Sequence, residues 1–185
     1  MAHEETVATS WLSAWLASLD ESIRIAEDAR KFAARSDQVS AWSAGEQLEH
    51  AMLADRSIVG LLERSAAGDG LPEPPNPPSP LAVELLEAGH IPRGRGPAPE
   101  GTLPEGREPE AVAEGLRDLR GRLAELETAL PGILKHDSTQ SHHVLGALTP
   151  SQWLRFGQVH HAHHAAIVRD ILTTLPKCDE RPLTP

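Results

Sequence analysis

The feature that most constrains this fold is a regular apolar repeat between positions 112 and 133. Apolar residues recur there at alternating intervals of four and three, the spacing of a bundle helix seam: Val112, Leu116, Leu119, Leu123, Leu126, Leu130 and Ile133. Helical periodicity also appears over about 9–35, from Ser43 to Gly68, and from Thr149 to about 174, whereas no segment shows strand-like alternation. The sequence therefore predicts an all-α four-helix bundle of a single domain, residues 1–176, followed by a C-terminal tail, 177–185.

The starts of the second and fourth predicted helices carry capping signals. Ser43 and Glu46 have the spacing of a capping box, and so do Thr149 and Gln152. Pro150 then occupies the first helical position, which has no intrahelical partner for an N–H group. In the third helix, proline at position 131 is expected to bend or end the helix.

A proline-rich connection, residues 68–108, separates the second and third helices. A short apolar piece within it, 81–86, is expected to form one or two helical turns. A connection of this length is unusual in a compact domain. Two interpretations stay open: a strap across the bundle that lines the mouth of a pocket, or a mobile linker.

Charge and cysteine content exclude several classes of function. The formal net charge is −10, so the chain repels phosphate backbones and we expect no nucleic-acid partner. No apolar run approaches the length of a membrane span, and the N-terminus does not resemble a secretion signal. The single cysteine, Cys178, cannot form an internal disulfide, which favours a cytoplasmic protein.

Four histidines within five positions lie inside the fourth predicted helix. His160 and His164 are one turn apart, and they project onto the apolar face of that helix, with Trp153, Phe156, Ile167 and Ile171. Imidazoles buried there need partners for their nitrogens, which a metal ion supplies. A metal site needs a third ligand, and His50 on the second helix is the candidate because facing helices commonly supply ligands together. The alternative is a pair of ordinary surface histidines.

The other polar residues near this helix have less specific roles. His161 is expected to be structural or at a rim, and His163 to support a ligand or replace one. His142 and His143 are expected in a loop or at a pocket rim. No general base is unambiguous; the candidates are His163, Asp55 and His143. Asp55 and Gln47 are read as groups that orient an imidazole or act on a bound water, or simply as ordinary helix residues.

Three motifs in this order resemble those of the DinB-like superfamily, also called YfiT-like metal-dependent hydrolases. The stretch Trp42-Ser43-Ala44-Gly45-Glu46-Gln47-Leu48-Glu49-His50 is similar to the family's W-S-x-x-E/Q-x-L-x-H. Gly146-Ala147-Leu148-Thr149-Pro150-Ser151-Gln152-Trp153 resembles its G-x-L-T-x-x-x-W, and His160-x-x-His163-His164 resembles its H-x-x-H-H. The proline spacing from Ala98-Pro99 to Pro104 is also similar. The resemblance covers nearly the whole chain.

The resemblance implies a four-helix bundle, often dimeric, with a divalent metal held by His50, His160 and His164. Zn or Ni is expected, with Mn or Fe as alternatives, although some members have lost the metal. Relatives include thiol S-transferases using bacillithiol or glutathione and a mycothiol-dependent maleylpyruvate isomerase. We therefore expect a homodimeric enzyme that acts on a small molecule through a metal-activated thiol or water. If it uses a thiol, we expect a low-molecular-weight thiol as cofactor. The alternative is a non-catalytic metal- or ligand-binding bundle.

Overall fold

The computed structural model describes residues 2–69, 71–94 and 98–176. Helices dominate these residues, in the order α1 (Ala2–Ala26), α2 (Ala29–Phe32), α3 (Ala44–Ala66), α4 (Pro80–Ala88), α5 (Pro109–Glu125), α6 (Leu130–Ile133) and α7 (Pro150–Thr173). Short 3₁₀ turns occupy Glu100–Thr102 and Leu126–Ala129, and strands β1 (Gln140–His142) and β2 (Gly146–Leu148) precede α7. The all-α prediction is confirmed. The tail from 177 onward, with Cys178, lies outside the described residues.

The four long helices, α1, α3, α5 and α7, pack around one apolar core. Every member of the apolar repeat, from Val112 in α5 to Ile133 in α6, is buried, and the most exposed of them, Leu126, is only 5% exposed. Trp15 of α1 is also fully buried, and its ring lies where a side chain at Gly157 of α7 would have to go. Glycine at this position therefore allows α1 and α7 to approach closely.

The capping boxes form as predicted, and they set the starts of α3 and α7. Ser43 accepts a hydrogen bond from the Glu46 N–H at 3.1 Å, and the Glu46 carboxylate accepts one from the Ser43 N–H at 2.7 Å. Thr149 and Gln152 exchange the equivalent pair. Each box satisfies two backbone donors that a helix start otherwise leaves unpaired.

The first predicted helix, 9–35, is wrong at both ends. Helix α1 starts at Ala2 and ends at Ala26, after which Asp28 begins the separate α2. The Asp28 carboxylate accepts from the backbone N–H groups of Arg30 and Lys31, each at 3.1 Å. Aspartate favours such a cap over a helix interior, which explains the break.

A small antiparallel hairpin, which the sequence did not predict, precedes α7. Strand β1 pairs with β2 in the register Gln140↔Leu148 to His142↔Gly146, and Glu73 forms a bridge to Thr139 at its edge. Strands of three residues are too short to show the alternation that reveals a strand in a sequence. The hairpin leaves the fold class unchanged and forms one wall of the site described below.

The proline-rich connection lies across the bundle in its described parts. Helix α4 has nine residues, more than the one or two turns predicted; Ser79 caps its start and Gly89, with a φ of 69°, ends it. The Leu86 carbonyl accepts a hydrogen bond from Arg155 Nε of α7 at 3.1 Å. The 3₁₀ turn that follows contacts α3. None of the described helices is both long and apolar enough to cross a membrane.

Candidate metal centre

Three histidines from two neighbouring helices meet at one point. His50 lies on the second turn of α3, and His160 and His164 lie one turn apart on α7. The His50 ring centroid is 4.5 Å from that of His164 and 5.4 Å from that of His160. Each ring offers a nitrogen, and these atoms lie within 4.8 Å of one another, so the group could hold a metal ion.

Hydrogen bonds at Nδ1 fix how two of these rings present their nitrogens. His50 Nδ1 lies 2.7 Å from the Thr102 carbonyl oxygen, which only accepts, so Nδ1 must donate. His164 Nδ1 lies 2.6 Å from Gln47 Oε1, and the Gln47 amide donates to Ser40 Oγ at 2.8 Å. Both neutral rings therefore carry their proton on Nδ1 and keep the Nε2 lone pair free, the usual preparation of a histidine ligand.

The environment of the cluster fits a divalent cation. His160 Nδ1 is buried and has no hydrogen-bond partner among the described residues. Burial, together with the neighbouring imidazoles, holds the pKa values of His160 and His164 well below the ordinary range, and burial lowers that of His50. The three rings are therefore neutral at neutral pH, and each has one nitrogen with a lone pair. Three imidazoles make a donor set that suits zinc, nickel or iron.

Asp55 and His161 belong to a separate network inside the core. His161 Nδ1 lies 2.6 Å from Asp55 Oδ2, and its Nε2 lies 3.0 Å from Ser22 Oγ. Trp15 Nε1 also donates to Asp55 Oδ2, at 3.3 Å. Both Asp55 and His161 are 0% exposed. The network ties α1, α3 and α7 together, so Asp55 does orient an imidazole, but that imidazole is His161, which lies in the core.

Glu49 holds the connection against α3, a role that sequence reasoning missed. Its carboxylate is 1% exposed and accepts from the backbone N–H groups of Glu105, Gly106 and Arg107 at 3.0–3.1 Å, and from Arg107 Nε at 3.0 Å. This clasp lies three residues beyond Thr102, whose carbonyl orients His50. An acidic residue next to a candidate ligand, on the inner side of a helix, was the signal available in the sequence.

A cavity of about 1090 Å³ opens beside the three histidines. Its walls come from α3, α4, α7, the hairpin and the proline-rich connection. Among the described residues that line it there is no lysine or arginine, and Glu84 supplies the one carboxylate. Aliphatic and aromatic side chains make up much of the remaining surface. The described part of the cavity wall is therefore largely apolar.

The remaining histidine candidates lie on the cavity wall, outside the three-histidine group. The His163 ring is 5.0 Å from that of His164, and burial lowers its pKa. His143 is exposed and stacks on His142 with the ring centroids 4.4 Å apart. Asp55 is not among the residues that line the cavity.

The two tryptophans near the site anchor its margins. Trp153 donates from Nε1 to the Gln140 carbonyl at 3.2 Å, which fixes β1 against α7. The Trp42 ring lies 5.1 Å from that of His50. The start of α3 is thereby connected to His50, and the start of α7 to the hairpin.

Comparison with known proteins adds one relationship. Neither the curated proteins nor the solved structures include a match to this chain. A sequence model described as the DinB superfamily matches residues 10–168, which contain all four long helices in part or whole and all three clustered histidines. The chain therefore belongs to the DinB superfamily.

Proposed function

We propose that this protein is a metal-dependent enzyme that acts on a small molecule, as a thiol S-transferase or a hydrolase. One observation carries the proposal: His50, His160 and His164 converge as neutral imidazoles at the wall of a cavity. In the proposal these three side chains hold a divalent ion, Zn or Ni in first place and Mn or Fe as alternatives. Three protein ligands leave at least one position for a further molecule.

A divalent ion held there lowers the pKa of a water molecule or thiol that it binds, which makes a nucleophile available at neutral pH. The residues of the chain prepare for this in two ways. Their imidazoles are neutral, so the protein does not cancel the charge of the ion. Thr102 and Gln47 hold His50 and His164 in fixed orientations, which limits reorganisation when an ion binds. A low-molecular-weight thiol would share the cavity with the electrophile in the transferase case.

Metal content tests the ligand assignment. Purified wild type should carry close to one equivalent of metal by elemental analysis, and His160→Ala should lose it with little change in the circular dichroism spectrum. His163→Ala is the matched control, because His163 neighbours the cluster without belonging to it, and this variant should keep its metal. Stoichiometric metal in His160→Ala would show that His160 is not a ligand.

Activity assays test the enzyme proposal. Metal-loaded protein is combined with bacillithiol, glutathione or mycothiol and an electrophile such as monochlorobimane, and separately with ester and amide substrates. Turnover that is lost in His160→Ala supports the proposal. Metal-loaded protein that turns over neither kind of substrate would instead favour a non-catalytic metal- or ligand-binding bundle.

Cellular location and oligomeric state are also part of the proposal. We propose a cytoplasmic protein, supported by its single cysteine, and a homodimer, on the strength of the family resemblance. Sedimentation or size-exclusion chromatography of the full chain tests the dimer, and a monomer at micromolar concentration would contradict it.

A further inference from the structure

His142, at the end of β1, has its ring tautomer fixed by the turn of the hairpin. Its Nδ1 lies 3.1 Å from the backbone nitrogen of Val144 and 3.2 Å from that of Leu145. Both partners are N–H donors, so Nδ1 must present its lone pair to them. The proton of the neutral ring is then on Nε2. This is the opposite tautomer to that of His50 and His164.

The surroundings of His142 keep the ring neutral. Burial, with a smaller contribution from His143, lowers the pKa of His142 to about 4. The ring packs against Phe156 with centroids 4.9 Å apart and an interplanar angle of 69°, and against Trp153 at 5.6 Å. At neutral pH the side chain is therefore an uncharged donor, held in place by its turn and by two aromatic rings.

The donor of His142 is available to the cavity. The ring lines the cavity. Both of its hydrogen bonds to described residues are at Nδ1, which leaves Nε2 without one. Phe156, which contacts the His142 ring, also contacts that of His160, at 5.4 Å. A molecule that fills the cavity beside the three-histidine group can therefore reach both.

We infer that His142 Nε2–H binds an oxygen acceptor of an uncharged, largely apolar ligand, such as a carbonyl compound. The inference rests on the proposed function, since this ligand would be the substrate at the three-histidine site. The lining favours a largely apolar ligand, because aliphatic and aromatic side chains make up much of the described wall. An unpaired donor in such a wall gains most from an acceptor that replaces its water.

Nuclear magnetic resonance of metal-free protein in EDTA tests the tautomer and the ligand class together. Long-range ¹H–¹⁵N spectra of histidine-labelled protein should show His142 protonated on Nε2 and unprotonated on Nδ1. Cyclohexanone, a neutral carbonyl probe, should then shift the His142 Nε2 resonance saturably.

The variant His142→Asn isolates the donor. An asparagine side-chain oxygen can accept from the N–H two residues later, as in an Asx turn, so the hairpin keeps its bond to Val144. The donor at the position of Nε2 is removed, because the NH₂ group of asparagine lies one bond closer to the backbone. We expect the Kd for cyclohexanone to rise about tenfold, which corresponds to about 1.4 kcal/mol. His136→Asn, outside the cavity lining, should bind the probe as wild type does.

Three results would overturn the inference: a proton on Nδ1, no saturable binding of cyclohexanone to wild type, or equal affinity in His142→Asn and wild type. All three measurements are made without metal. Failure of the chain to take up any of zinc, nickel, manganese and iron would refute the proposed function and leave the His142 results standing. The two failures are therefore distinguishable.

Discussion

Glu49→Gln is predicted to loosen the clasp that holds the proline-rich connection on α3. Glu49 Oε1 accepts from the Glu105 N–H and from Arg107 Nε, and Oε2 accepts from the N–H groups of Gly106 and Arg107. Glutamine replaces one of these oxygens with an NH₂ group. Two of the four hydrogen bonds must then be lost, because the new NH₂ group would face two N–H donors of the connection.

The structure sets the size of the effect. A hydrogen bond to a charged acceptor contributes about 1.5–3 kcal/mol. The donors belong to a partly exposed loop, in which Arg107 is 38% exposed, so water recovers part of the loss and the lower figure applies. Two bonds at that figure give a decrease of about 3 kcal/mol in the free energy of unfolding. This is a large fraction of the stability of a typical domain.

Urea denaturation of metal-free protein, followed by circular dichroism, measures the change. Glu105→Gln is the matched control: Glu105 pairs with Arg107 at 2.8 Å but is 70% exposed, so its loss should cost less than about 1 kcal/mol. Calorimetric zinc titrations should also show weaker binding in Glu49→Gln, because the carbonyl that orients His50 lies three residues before the clasp. Equal unfolding free energies for Glu49→Gln and wild type would refute this account.

Three further predictions follow from the same structure. Gln47→Met removes the acceptor that orients His164, so zinc affinity measured by calorimetry should fall ten- to a hundredfold; unchanged affinity would show that this bond does not matter. Burial lowers the pKa of His142 to about 4, so the unfolded chain binds more protons between about pH 6.5 and 4. As the pH falls through that window, the unfolding free energy of metal-free wild type should therefore decrease more than that of His142→Asn. Equal decreases in the two proteins would contradict the lowered pKa. Gly157→Ala places a methyl group against the Trp15 ring and should lower stability in urea by about 2 kcal/mol; wild-type stability would contradict the close packing.

The long helices could be predicted because their signals are local. The apolar repeat of α5 and the capping boxes of α3 and α7 each depend on residues within a few turns. The break after Ala26 was missed because a continuous apolar pattern outweighed the capping preference of Asp28. The hairpin was missed because its strands have three residues each, too few to show an alternating pattern.

The three-histidine group could be predicted from spacing and from the apolar face of α7. The residues that orient it could not. Glu49 binds a segment 56 residues further along the chain, within a proline-rich stretch that has no periodicity. The Thr102 carbonyl belongs to the backbone, so the amino-acid sequence does not indicate which backbone carbonyl faces His50. Gln47 was named as a group that orients an imidazole, but the choice of His164 required the packing of α3 against α7.

For four of the histidines the role is set by the atom that faces Nδ1; His160 has no such partner among the described residues. A carbonyl or amide oxygen facing His50 or His164 leaves the opposite nitrogen with a lone pair, which suits a metal ion. Backbone N–H groups facing His142 leave the opposite nitrogen with a proton, which suits an acceptor oxygen. His161 has its Nδ1 on Asp55 and its other nitrogen on a hydroxyl, so neither is available to a ligand. The same residue type therefore supplies ligand, donor and core support within one bundle, and for these four histidines the partner of Nδ1 determines which role each one has.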